Sequence, residues 1–187
     1  MSKLDQSETW QFTYNADGLR TKRTNGNRTY QYTYRGGQLT HMTVDGHTMY
    51  FTYDASGTPL NLVYDGHKFY YVTNLQGDVV AMINSSGVEV VQYTYDAWGN
   101  VQADGPATNV RYYNPLRYRG YVYDPETELY YVSSRYYDPE IGRWISPEPN
   151  VYNGEFDEGA GLIGYNVYAY CANNLKRTKL YCDKRLR

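Results

Sequence analysis

The residues of this 187-residue chain that could carry chemistry are few: three histidines, two cysteines and scattered carboxylates. His47 and His67 each follow an Asp-Gly pair, Asp45-Gly46 and Asp65-Gly66, whereas His41 stands apart. Stacked units would bring imidazoles and carboxylates together, as metal ligands require. An internal repeat explains the same spacing, with His beside a turn, and no metal is expected. Cys171 and Cys182 are too few for a disulfide framework and lack the partners of a zinc site. Cys171 has apolar neighbours and reads as a small buried hydrophobe. The run from Arg111 to Tyr121 interleaves Arg with Tyr, as a platform for single-stranded nucleic acid would. No nucleophile elbow, phosphate loop or His-Glu-x-x-His pattern is present, so no cofactor and no enzyme are expected.

The elements that would position these groups come from a tandem repeat. Phe12-Thr-Tyr14-Asn-Ala-Asp-Gly18, Tyr32-Thr-Tyr34-Arg-Gly-Gly37, Phe51-Thr-Tyr53-Asp54-Ala-Ser-Gly57 and Tyr93-Thr-Tyr95-Asp96-Ala-Trp-Gly99 are copies of one unit, with a weaker copy ending at Gly77. The glycines recur every 19 to 22 residues. About nine residues after each comes a second turn: Asn25-Gly26, Asp45-Gly46, Asp65-Gly66 and Ser86-Gly87. These pairs suit type I′ hairpin turns, whose two central residues take positive φ. The intervening stretches alternate β-formers with period two. The reading is therefore all-β: antiparallel hairpin repeats joined into a coiled ribbon. The repeated tyrosines should share one face of it.

Composition sets the boundaries. The chain carries 25 Tyr and a formal net charge of −2, which suits half-exposed aromatic walls better than a thick aliphatic core. No apolar run is long enough for a transmembrane helix. The first residues lack an apolar segment, so no signal peptide is expected. Charge is uneven: residues 175–187 hold six Lys/Arg against one Asp, a net of +5, leaving −7 for the rest.

After Gly99 the pattern changes. Residues 102–109 read as a loop. Then Leu116 to Pro125 and Leu129 to Pro139 each read as a strand closed by Asp-Pro, since Pro cannot continue a ladder. A glycine-rich acidic loop is expected at 150–164, and a last strand or short helix at 165–172. The Tyr-Asp-x-x-Gly unit resembles the YD-repeat of Rhs proteins. The block from Arg117 to Pro147 is similar to the core ending of that family, carried by Arg117, Tyr118, Gly120, Tyr123, Asp124, Tyr130, Tyr131, Arg135, Tyr136, Tyr137, Asp138, Pro139, Gly142, Arg143 and Pro147.

The resemblance implies a hollow β-shell that encloses or presents a C-terminal effector, in bacterial toxins, wall-associated proteins or teneurins. It implies as partners the remaining repeats of a longer shell and the effector domain, with no nucleic acid. It places the parent protein outside the cell or on its surface. It also implies, for some members, an aspartyl autoprotease at the core's end, built from two Asp-Pro-x-Gly motifs whose carboxylates share a proton. Here Glu148-Pro-Asn-Val151 replaces the first motif and the second is missing, so self-cleavage is not expected. The alternative reading is a cell-wall or carbohydrate-binding aromatic repeat module. A remnant autoprotease is the next.

The expected layout is an N-terminal segment 1–9, repeats 10–101, a core ending 102–174 and a basic variable tail 175–187. Open strand edges and an uncovered inner face predict self-association of the isolated chain.

Overall fold

The computed structural model describes residues 9–106, 108–147 and 166–171. Ten strands form one open antiparallel sheet in chain order: β1 (Gln11–Tyr14), β2 (Arg20–Thr24), β3 (Thr29–Arg35), β4 (Gln38–Val44), β5 (His47–Tyr53), β6 (Pro59–Tyr64), β7 (His67–Thr73), β8 (Val79–Asn84), β9 (Glu89–Tyr95) and β10 (Val101–Asp104). Four more make a second sheet: β11 (Val122–Asp124), β12 (Leu129–Val132), β13 (Arg135–Asp138) and β14 (Arg143–Trp144). Among the described residues the longest helix is α1 (Asn109–Tyr113). The all-β class and the ribbon of hairpins are therefore as the sequence implies.

Period-two alternation puts one face of the ribbon inward. Met49, Leu62, Val79, Met82 and Val91 on that face are fully buried, beside Tyr30, Tyr32 and Tyr93. Each fully buried aliphatic side chain contributes roughly 1.5–3 kcal/mol. Tyr50 and Tyr70 lie on the other face and are exposed. The pairing carries one extra residue in the return strand of four hairpins, at Thr13/Tyr14, Thr33/Tyr34, Thr52/Tyr53 and Val72/Thr73, and a further one between β8 and β9 at Met82/Ile83. Such bulges turn two residues spaced by three to the same side. Leu39 with Met42, Pro59 with Leu62, and Val79 with Met82 all face inward this way.

Several local expectations change. Of the four second turns, Asp45-Gly46 and Asp65-Gly66 have the paired positive φ of a type I′ turn; Asn25 and Ser86 do not take positive φ. At Asn25 the side-chain oxygen instead accepts from the amides of Asn27 and Arg28, and a longer loop results. Residues 102–104, read as loop, continue β10 along β9. The stretch from Leu116 is not one strand: a 3₁₀ turn at Tyr118–Gly120 precedes β11. Leu129 to Asp138 is a hairpin, because Ser133 takes a left-handed φ of 56° between β12 and β13. β11 and β13 do end at the Asp before each Pro. In the segment 165–172, Ala169 makes only an isolated bridge to Arg143. Cys171 is buried as expected but disulfide-bonded, so it is not a free small hydrophobe. The inner face is largely covered: the second sheet packs against it, leaving a cavity of about 910 Å³ lined by Tyr32, Leu39, Tyr53, Leu116 and Tyr131, so less apolar surface is offered for association than the sequence suggests. β1 and β10 remain as edges.

Candidate functional site

The site is the seam where the ending, residues 109–144, lies across the ribbon. Its two sides are prepared by the turns. Asn15, Asp54, Asn74, Asn84 and Asp96 each begin a turn of the same design. The side-chain oxygen accepts from the amides two and four residues on, at 2.8–3.1 Å. The Gly three residues on is left-handed, at Gly18, Gly57, Gly77, Gly87 and Gly99. An acceptor oxygen is all the position requires, so Asn and Asp interchange. The Ser56 hydroxyl and the Thr58 amide bonded to Asp54 hold its carboxyl below the ordinary range. Gly37 follows the shorter spacing and differs: with Gly36 it forms a two-residue turn, both residues at positive φ.

These turns present carbonyls to tyrosines of the ending. Tyr118, Tyr137 and Tyr130 donate to the successive carbonyls of Ala97, Trp98 and Gly99 at 3.0, 2.7 and 2.8 Å. The Gly99 position leaves no room for a side chain, since a Cβ would lie 2.7 Å from the Tyr118 ring. Gly142 faces Trp98 in the same way, and Asn100 donates to the Pro139 carbonyl at 3.1 Å. Further along, the Val79 amide donates to the Arg117 carbonyl, and the Arg119 amide to Asp78. The Arg117 guanidinium lies 4.3 Å from the Tyr123 ring centroid, and that of Arg135 lies 4.0 Å from Trp144. Arg117 and Arg119 are buried, which withdraws the second half of the Arg/Tyr run from solvent, while Tyr112 in the first half is exposed.

The other end of the seam is ionic. At the bulge of the first hairpin, Arg20 and Arg23 occupy the inward positions that Leu39 and Met42 hold in the next. They are 0 % and 1 % exposed. Asp124, 1 % exposed, accepts from both terminal nitrogens of Arg20 at 2.5 and 2.8 Å and lies 3.7 Å from Arg23. Arg23 reaches Glu126 at 2.7 Å, and Tyr30 donates to Glu126 at 2.5 Å. The Arg20 guanidinium lies 4.7 and 4.5 Å from the rings of Tyr32 and Tyr131, and Arg23 lies against Trp10 and Tyr30. Burial opposes ionisation of Asp124; the two guanidiniums overcome it and hold its carboxyl below the ordinary range. Tyr131 accepts from the Arg20 amide at 2.8 Å and donates to Gly18 at 3.2 Å.

Of the repeat tyrosines, Tyr14, Tyr34 and Tyr53 lie at matching bulges and Tyr95 in a regular pairing, and their surroundings differ. Tyr53 and Tyr95 donate to Leu39 and Val79, each in the preceding hairpin, at 2.7 and 2.6 Å. The Tyr34 hydroxyl is shut from solvent without a partner. Tyr14 is exposed and shares a 3.1 Å hydrogen bond with Tyr136. Gly120 is left-handed at 69° in the 3₁₀ turn, the Asp138 side chain accepts from the Glu140 amide, Arg143 is exposed, and Pro147 is half-buried. Glu148 to Val151 and Cys182 lie outside the described residues. His47 bonds Asp65 at 2.5 Å beside the ring of Tyr64. No group of three metal-ligating side chains forms among the described residues. Sequence reasoning missed Arg20, Arg23 and Asn114, whose buried side chain accepts from the Tyr71 hydroxyl at 2.7 Å and donates to that of Tyr93 at 3.2 Å. The signal for the arginines was the alignment of repeats, where Arg-x-x-Arg replaces an apolar pair.

A ribbon of tandem hairpins whose inner face is closed by its own ending defines a repeat-shell protein, with a seam built for packing. The teneurin YD-shell family model matches residues 43–176, and the chain belongs to that family. The tRNA nuclease WapA of Bacillus subtilis is 41 % identical over 103 residues, 54 % of this chain and 4 % of that protein. Human teneurin-4 is 30 % identical over 98 residues, 52 % of this chain and 3 % of that protein. The chain thus spans a small fraction of these relatives. The crystal structure of TcdB2-TccC3-Cdc42 superposes with a TM-score of 0.71 at 22 % identity, covering all of this chain and 10 % of that one. That likeness is one of fold.

Proposed function

We propose that the chain is the C-terminal part of a shell wall that houses or presents a following effector, and is not itself an enzyme. The observation that carries this is the seam: the ending reaches from the first hairpin, at Asp124 with Arg20, to the last, at Tyr130 with Gly99. An ending held at both limits of the ribbon suits a wall that must stay shut around something else. The division into repeats 10–101, ending 102–174 and basic tail 175–187 follows the same reading. The partners are further repeats ahead of Trp10 and an effector beyond the tail, in a parent exported or displayed by the cell. WapA, named a tRNA nuclease, and the double-stranded DNA deaminase toxin A of Burkholderia cenocepacia support a toxin context. No helix among the described residues is long and apolar enough to cross a membrane.

The test is a longer run of YD hairpins joined ahead of Trp10, with a small nuclease after Arg187. Enclosure predicts a nuclease that resists protease and stays silent until the shell is denatured. A nuclease active and cleavable from the start refutes it. Wall binding without enclosure would instead show as retention on peptidoglycan. The burial of Trp144 and the packing of Trp98 against Gly142 argue against a tryptophan-based glycan platform.

A further inference from the structure

We propose that Arg20 and Arg23 make the first hairpin a specific seat for the acidic turn Asp124-Pro125-Glu126, so that this hairpin selects where the ending docks. Four hairpins carry the same bulge and offer an inward pair of side chains. Three offer apolar pairs, which attract any apolar ridge without direction. One offers two guanidiniums, each planar and lying against two aromatic rings. A guanidinium fork fixes both the distance and the plane of a carboxylate. The acidic turn is matched to it: Asp124 takes the fork of Arg20, and Glu126 takes Arg23. Docked one hairpin further on, Asp124 would meet Leu39 and Met42 and be buried without a counter-charge, which is strongly unfavourable. The pair therefore penalises every other seat, which apolar packing alone does not. Buried ion pairs are weak sources of stability, but they can set register. This inference concerns the chain's own assembly and stands whether or not a cargo is enclosed.

The experiment is hydrogen exchange on the full chain carrying Arg20→Leu, Arg23→Met and Asp124→Leu together. These are residue types found at the equivalent apolar seats, and such replacements tend to preserve stability. If the arginines set the seat, amides of 11–24 and 122–137 exchange about tenfold faster or in two populations. Those of 79–104 keep their protection. Wild-type protection in both of the first two segments overturns the proposal. Should the triple variant not fold, the pair Arg20→Lys and Arg23→Lys keeps the charge and removes the fork. The same local loss is expected there. Wild-type protection in the lysine pair also overturns the proposal, because the seat would then read charge without geometry.

Discussion

Replacing Asp124 by Asn leaves its shape and removes the charge that two buried guanidiniums face. Arg23 keeps Glu126 at 2.7 Å, so the loss falls on Arg20, which retains the rings of Tyr32 and Tyr131 and a 3.3 Å hydrogen bond to the Tyr136 hydroxyl. Each ring returns about 0.5–2 kcal/mol to a cation over its face. Breaking one side of a buried pair costs about 3–5 kcal/mol. For a domain of this size that corresponds to a melting point lower by about 6–20 °C, at about 2–4 °C per kcal/mol. The assay is thermal and urea unfolding of Asp124→Asn beside wild type and the double variant Arg20→Met with Asp124→Leu. The double should recover most of the loss, because neither charge is then stranded. The pH dependence has a definite sign. The Asp124 carboxyl is depressed in the folded state, so its contribution is complete above the ordinary carboxylate range. It is lost as pH falls through the folded value, and Asp124→Asn should lack that acid-side loss. A cost under about 1 kcal/mol, the size of an exposed pair, would refute the reasoning. So would additive costs in the double.

Removing the hydroxyl in Tyr95→Phe should cost about 0.5–1.5 kcal/mol through the bond to Val79, whereas Tyr34→Phe should be neutral or stabilising by the same unfolding assay. Asn84→Ala removes two turn hydrogen bonds and should cost about 1–3 kcal/mol. Asp54→Asn should leave the melting point unchanged at neutral pH, because Asn15 and Asn74 fill the same role. Gly26→Ala should cost only the left-handed strain of about 1–2 kcal/mol. Gly99→Ala should exceed it, because its Cβ also strikes the Tyr118 ring. Mass spectrometry after prolonged incubation at neutral and mildly acidic pH should return the full-length mass; a product ending near residue 174 would restore the autoprotease reading.

The repeat was legible because turn chemistry is local. A Gly at fixed spacing after Asn or Asp reports a left-handed position whatever surrounds it. That Asn84 governs the Ser86-Gly87 turn was written in the same signature, but it was hidden by pairing Ser86 with the Asp-Gly turns. The seam was less legible. Arg20 and Arg23 drew no reading, since burying them depends on carboxylates more than a hundred positions away. Likewise, the fold-back of the ending over Leu62 and Met82 is a long-range result that period-two alternation does not encode. The Ser133-Ser134 turn lacked a Gly, so the hairpin of β12 and β13 read as one strand.

The repeated bulge has a mechanical consequence. Four hairpins insert their extra residue at the same point, and each insertion bends its strand in the same sense. The fifth hairpin, β9 with β10, pairs without one. A further bulge, at Met82/Ile83 between β8 and β9, adds to the four, so the ribbon is an arch whose spontaneous curvature is a sum of small local bends, ending in a straight springer. The chain from Asn114 to Tyr137 is the tie across that arch. It is pinned by ions at one foot and by hydroxyl-to-carbonyl bonds at the other. A tied arch transfers no thrust to its supports. By that logic, an added hairpin would lengthen the span and load the tie, and the ionic foot, whose strength depends on its geometry, would yield first.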